Sequence, residues 1–273
     1  MFPVNAFCAE ASLAIADAGV QASEDAPFVS TDYQFMPGEY VYSTFQITGF
    51  SIDIDQEKES REISLTYSVT VRDSNNIPLA EPISGEIKTH LNSEDKNWAP
   101  KRRASFLLPS FVAAGEFYVH IVVKDVLGKS DAVKDVPFRI GGFRAQRSEQ
   151  IAAQNFRFLR EESGAEGLDV AAYRPGDTVY AAFDMTGFVL GPGNSYHLSY
   201  GVTVFRPDGK PFLEEANAAE LNASSYYPAQ FMPGNVSIIT TASSPRGAYI
   251  LVLTVRDLIA NRSTVTKRSF SLE

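Results

Sequence analysis

The sequence predicts an all-β protein built as two tandem seven-stranded antiparallel β-sandwiches. Three observations predict it. The first is an internal repeat: PGEYVYSTFQITGF (Pro37–Phe50) returns as PGDTVYAAFDMTGF (Pro175–Phe188), an offset of 138 residues. LTYSVTVRDSNNIPL (Leu65–Leu79) returns as LSYGVTVFRPDGKPF (Leu198–Phe212) at 133, and GEFYVHIVVKDVLGKS (Gly115–Ser130) as GAYILVLTVRDLIANRS (Gly247–Ser263) at 132. The offset changes in loops, which tolerate insertions, and not within the periodic segments. A period this long is a whole domain, not a solenoid unit. The second observation is alternation with period two. The third is the shortage of the amphipathic helices that a parallel α/β fold needs.

Each strand follows from its own pattern. Leu65, Tyr67, Val69 and Val71 alternate with Thr66, Ser68 and Thr70; Leu198, Tyr200, Val202 and Val204 repeat this. Such alternation of β-branched and aromatic residues marks a strand with one buried face. Phe117, Val119, Ile121 and Val123, matched by Tyr249, Leu251, Leu253 and Val255, mark a central strand. Pro37-Gly38 and Pro175-Gly176 are turns that launch strands. Arg206–Pro211 is a hairpin turn around Asp208-Gly209, and Asp73–Pro78 does the same work with Asn75-Asn76. Strands are therefore expected near 13–21, 39–49, 63–73, 79–90, 104–109, 115–126 and 131–140. In the second half they are expected near 155–161, 177–188, 196–206, 211–222, 235–241, 247–257 and 262–272. Ser148–Gln154 is the one helical candidate, at most two turns. The implied organisation is an N-terminal segment 1–11, a sandwich 12–140, a linker 141–154 and a sandwich 155–273.

Taken together, PG-[DE]-x-V-x-x-x-F-x-x-x-G followed by G-x-[FY]-x-[VL]-x-[IL]-x-V-x-D resembles the immunoglobulin-like domains of exported bacterial proteins, over roughly 12–140 and 155–273. The Cys…Trp…Cys core of antibody domains is missing. The resemblance implies a fold and a broad range of roles: adhesion, carbohydrate binding, spacing and assembly. It brings no active site, and fold alone does not choose among them.

Composition narrows the partners. Formal net charge is −9. Residues 1–140 carry 12 Lys/Arg against 20 Asp/Glu (−8), 141–154 carry 2 against 1 (+1), and 155–273 carry 10 against 12 (−2). Without a basic face, nucleic acid and anionic membranes are poor partners. No run approaches a spanning helix, so membrane insertion is not expected. One cysteine, Cys8, excludes an intramolecular disulfide. Phe7 makes Cys8 a poor lipidation site. The Ala9-Glu10-Ala11 step reads either as the remnant of an export signal, pointing to periplasm, cell surface or medium, or as a frayed terminus.

Catalytic and metal motifs are not found: no G-x-S-x-G, no phosphate loop, no H-E-x-x-H. No cofactor is expected. His90, His120 and His197 have no histidine counterpart in the other half and no ligand spacing. An enzyme would need a carboxylate pair hidden in the loops. Ser51–Glu62 holds Asp53, Asp55, Glu57 and Glu59, whose hard oxygens can suit Ca²⁺, but the order is not that of an EF-hand and a solvated loop is the plainer reading. Asp125 and Asp257 close equivalent strands, where an Asp bonds its own turn's amides.

The candidate contact surface is the connection before the fifth strand. One copy carries Trp98 beside Lys101, Arg102 and Arg103; the other carries Tyr226, Tyr227 and Phe231. Exposed rings anchor interfaces and stack on sugars; the competing reading is that they cover their own sandwich edge. The basic triplet suits an acidic partner, including a neighbouring copy. The sequence therefore favours a non-catalytic envelope or extracellular module in protein–protein contact, as a subunit of a larger assembly. A carbohydrate-binding accessory protein comes second and an enzyme with a loop site third.

Overall fold

The computed structural model describes residues 12–273 apart from 56–59, 93–94, 96–97, 143–147 and 165. The N-terminal export-signal reading with Cys8, and Glu57 and Glu59 of the acidic loop, lie outside the described residues. The chain is all-β. It forms two compact units, 12–110 with 114–142, and 111–113 with 148–273, among the described residues. No helix among them is long and apolar enough to cross a membrane.

Among its described residues the first unit contains nine strands: β1 (Ala14–Gln21), β2 (Gln34–Phe35), β3 (Tyr40–Thr48), β4 (Asp53–Asp55), β5 (Ser60–Asp73), β6 (Ile83–His90), β7 (Lys101–Leu107), β8 (Gly115–Asp125) and β9 (Ser130–Ile140). One sheet runs β1-β3-β7; the other runs β2-β9-β8-β5-β4, with β6 also on β5. The second unit contains β10 (Ala152–Leu159), β11 (Ala172–Tyr173), β12 (Thr178–Thr186), β13 (Ser195–Phe205), β14 (Pro211–Ser224), β15 (Phe231–Ile239), β16 (Gly247–Asp257) and β17 (Arg262–Leu272). Its sheets run β10-β12-β15 and β11-β17-β16-β13-β14. Each of the fourteen expected strands overlaps one of these. Three corrections follow. β2, β4 and β11 are extra strands, too short for periodicity to reveal. The sheets are mixed rather than antiparallel throughout, because β2 runs parallel to β9 and β11 parallel to β17. Ser148–Gln154 is not helical: β10 starts at Ala152, and its pairing to β12 overrides a weak local preference.

Burial explains the alternation. Leu65, Val69, Val71, Val119, Ile121 and Val123 are fully buried, as are Leu198, Val204, Tyr249, Leu251, Leu253 and Val255. Each such side chain contributes roughly 1.5–3 kcal/mol by leaving water. Rings join the two sheets of each unit: Phe45 meets Tyr67 edge-on at 5.9 Å, and Phe183 meets Tyr200 at 5.1 Å. Phe138 touches Phe35 at 5.7 Å and Phe117 at 5.9 Å; Phe270 touches Tyr173 at 6.2 Å and Tyr249 at 5.2 Å.

The repeated motif has local causes. In PG-[DE] the acid closes the turn: Met36 N donates to Glu39 Oε2 at 2.8 Å, and Arg174 N to Asp177 Oδ2 at 2.9 Å. The motif's final glycine lies in left-handed backbone in both copies, Gly49 at φ 69° and Gly187 at φ 72°. A Cβ on Gly187 would fall 2.2 Å from Gln150 O. Arg262 ties that incoming segment down, donating to Glu149 O at 3.0 Å, Gly187 O at 3.2 Å and Asp257 Oδ2 at 3.3 Å.

Candidate interaction site

The fifth main strand of each unit ends its smaller sheet, so one side of β7 and of β15 is a free edge. β7 follows the loop that carries Trp98. Trp98 is 37% exposed and stands edge-on to Phe50 at 6.2 Å. Its position mixes both expectations: the ring contacts its own unit at Phe50 and the residue is also partly exposed to solvent. Lys101 is exposed. The Arg102 guanidinium lies 6.0 Å over the Tyr67 ring and donates to Lys101 O at 2.9 Å. Arg103 pairs with Glu24 at 3.4 Å and Asp25 at 3.1 Å. The basic triplet is thus only in part available to a partner.

In the second unit the three rings part company. Tyr226 is 50% exposed, and its carbonyl accepts from Asn194 Nδ2 at 2.9 Å. Tyr227 and Phe231 are buried in the unit's interior. Of the three, Tyr226 is the one presented outward; burial of an aromatic ring outweighs the polar surroundings of its loop.

The two edges differ in what they offer. Ile47 N donates to Pro100 O and Leu108 N to Glu39 O, so even-numbered residues of β7 bond to β3. By antiparallel alternation Lys101, Arg103, Ser105 and Leu107 turn N–H and C=O groups to the free side. On β15 the same logic turns Pro233, Asn235, Ser237 and Ile239 outward. There Pro233 has no N–H to give, and Asn235 O already accepts from Tyr200 Oη at 2.7 Å. What separates the edges is Pro233: Lys101, Arg103, Ser105 and Leu107 each keep an outward N–H, while Lys101 O, like Asn235 O, already accepts from a side chain. Composition alone showed the triplet; only the pairing reveals that it lies on an open edge.

Groups that tempted a chemical reading have structural work. Asp125 Oδ1 accepts from Leu127 N at 3.1 Å and Gly128 N at 3.0 Å, and Oδ2 from Ser51 N at 2.7 Å. Asp257 Oδ1 accepts from Ile259 N at 3.1 Å and Ala260 N at 3.0 Å, and Oδ2 from Val189 N at 3.0 Å. Burial alone would raise the Asp125 pKa, but the amides of Gly128, Ser51 and Leu127 together lower it. The histidines each face a carboxylate: His90 with Glu62 at 3.3 Å, His120 with Asp135 at 2.7 Å and His197 with Glu220 at 2.6 Å. Asp53 and Glu62 pair across β4 and β5 in a hairpin. Among the described residues no group of three His, Cys, Asp or Glu is placed to hold a metal ion. Burial raises the pKa of Asp184, against a 2.8 Å bond from Asn155 Nδ2 and the charge of Arg157.

Comparison with known proteins adds little to this geometry. No protein-family model matches the chain, and no curated protein matches it in sequence. Among solved structures it is similar to the C-terminal domain of the Streptococcus pyogenes antigen I/II-family protein AspA, at 10% identity and TM-score 0.29, over 93% of this chain and 98% of that one. It is also similar to the Streptococcus agalactiae antigen I/II polypeptide BspA C-terminal domain, at 10% identity and TM-score 0.30, over 96% and 98%. A third likeness is to Escherichia coli alpha-2-macroglobulin, at 10% identity and TM-score 0.28, over 95% of this chain and 17% of that one. Scores this low carry no argument about fold or role.

Proposed function

We propose that the chain is a non-catalytic module of the bacterial cell envelope or exterior that holds a protein partner, as a subunit of a larger surface assembly. In this reading it is a pair of immunoglobulin-like sandwiches that arose by duplication. The recurrence of strand order supports the duplication, as does the β1–β3 register Ala14↔Thr48 with its bulge, matched by Ala152↔Thr186 in β10–β12. The observation that carries the role is the open, basic edge of β7 beside the half-exposed Trp98. Rings of this kind anchor interfaces, and free edges accept strands. Purification of the native protein from its source tests the reading. Elution inside a larger particle, reduced by Trp98→Ala and Lys101→Ala, is the expected result; elution as a free monomer counts against it.

A carbohydrate-binding accessory role is the second reading, favoured by the exposure of both Trp98 and Tyr226, whose planar faces suit sugar rings. Affinity electrophoresis with Trp98→Ala and Tyr226→Ala separates the two: retardation on a glycan that both substitutions abolish would favour the sugar. An enzymatic role has less to stand on. The carboxylate whose pKa is raised, Asp184, is buried and bonded to Asn155.

A further inference from the structure

We propose that the open edge of β7 accepts the β14 edge of a second copy of this chain. The inference rests on the protein-contact reading above and names the partner. β14 ends the larger sheet of the second unit, with one side unpaired. Ser225 N donates to Asn194 O, which places Glu220, Asn222 and Ser224 with their backbone groups toward the free side. The two edges are opposite in charge. β7 carries Lys101, Arg102 and Arg103 and no acid, giving +3; β14 carries Glu214, Glu215 and Glu220 and no base, giving −3. Arg103 and Glu220 have partners within their own unit, whereas Lys101, Glu214 and Glu215 form no ion pair among the described residues. The charges on β7 guard its edge against an uncharged or cationic strand, while the same charges favour an acidic strand that meets them. A complementary strand from another copy supplies both missing halves: Glu220, Asn222 and Ser224 offer backbone partners to three of the four outward residues of β7, and the acids of β14 offer countercharge.

Because the two edges are different surfaces on different units, the contact is heterologous and leaves one of each edge free at the ends of any chain of copies. The experiment uses the full chain in two blocked forms. Ser105→Pro removes an outward N–H from β7, and Asn222→Pro does the same on β14; proline is tolerated where the N–H faces solvent. Wild-type protein at submillimolar concentration and low salt is expected to associate by sedimentation, into a closed dimer with both edge pairs made or into longer chains of copies. Each blocked variant alone is expected to be a monomer, and the two mixed are expected to stop at a 1:1 heterodimer. Lys101→Glu, which leaves the backbone intact, is expected to weaken association at least about tenfold, as is added salt. Far-ultraviolet dichroism confirms that each variant is folded. Monomeric wild-type protein, association untouched by Ser105→Pro and Lys101→Glu, or failure of the two blocked forms to pair would each overturn the proposal. If such a monomer still enters a larger particle in its source, the partner-contact reading survives and only the self-pairing is lost.

Discussion

Asp125 and Asp257 each satisfy three backbone N–H groups with one buried carboxylate, fixing a hairpin and the loop that passes over it. Asp125→Asn turns an amide N–H toward Ser51 N or toward the hairpin, leaving donors face to face. It is expected to destabilise the first unit by about 1–3 kcal/mol in denaturant unfolding, with Asp257→Asn doing the same to the second. The pH dependence follows from the lowered pKa of Asp125. Its contribution is present above the ordinary value of 3.8 and is lost as pH falls through the lower native value. Asp184 has the opposite sign. Its native pKa is raised, so its charged form weakens the fold, and that loss fades as pH falls through the native value toward 3.8. Asp184→Asn keeps an acceptor for Asn155 and is expected to stabilise the second unit at neutral pH, raising its melting temperature; a lower one would show that the charge is favourably held.

At the scale of elements, what the sequence revealed is what repeats every two residues. β5, β8, β13 and β16 are legible because apolar residues recur at every second position along them, and in β8 and β16 burial alternates in step. β1 and β10 are not equally legible. AIADAGVQ and AAQNFRFL share little, yet each pairs in the same register and each carries a bulge with a left-handed residue, Asp17 at φ 44° and Asn155 at φ 47°. The bulge shifts the side-chain phase and breaks the alternation, so the period over the expected 13–21 and 155–161 is weaker and the start of β10 at Ala152 is not marked by it. A related limit hid the fate of Tyr227 and Phe231: Tyr227 lies in a short loop with no period, and Phe231 opens β15, whose start is expected only near 235. Gly187 is where the element and its incoming segment meet. Gly187→Ala adds a positive-φ penalty to a clash with Gln150 O, and is expected to cost about 2 kcal/mol or more, read as a lower unfolding midpoint.

For the whole molecule, the second unit has its own core, from Ile151 on the incoming segment to Leu272 on β17. A chain cut to 148–273, which loses the packing of Phe111 on this core, is still expected to unfold cooperatively by itself, since the remaining buried residues lie within it. Starting it at 152 instead removes buried Ile151 and the Glu149 carbonyl that Arg262 holds, and is expected to lower its stability by about 2 kcal/mol or more. The open edge of β7 belongs to this scale too, because only the completed sheet order shows that the strand lacks a neighbour. The short parallel pairs β2–β9 and β11–β17 have a mechanical meaning. Each joins a strand near the start of its unit to the last strand, running in the same direction. A pull along the polypeptide therefore drags the two past each other lengthwise and loads their bonds together, where a hairpin would unzip one rung at a time. Each two-residue clasp thereby meets a pull between its own strands in shear.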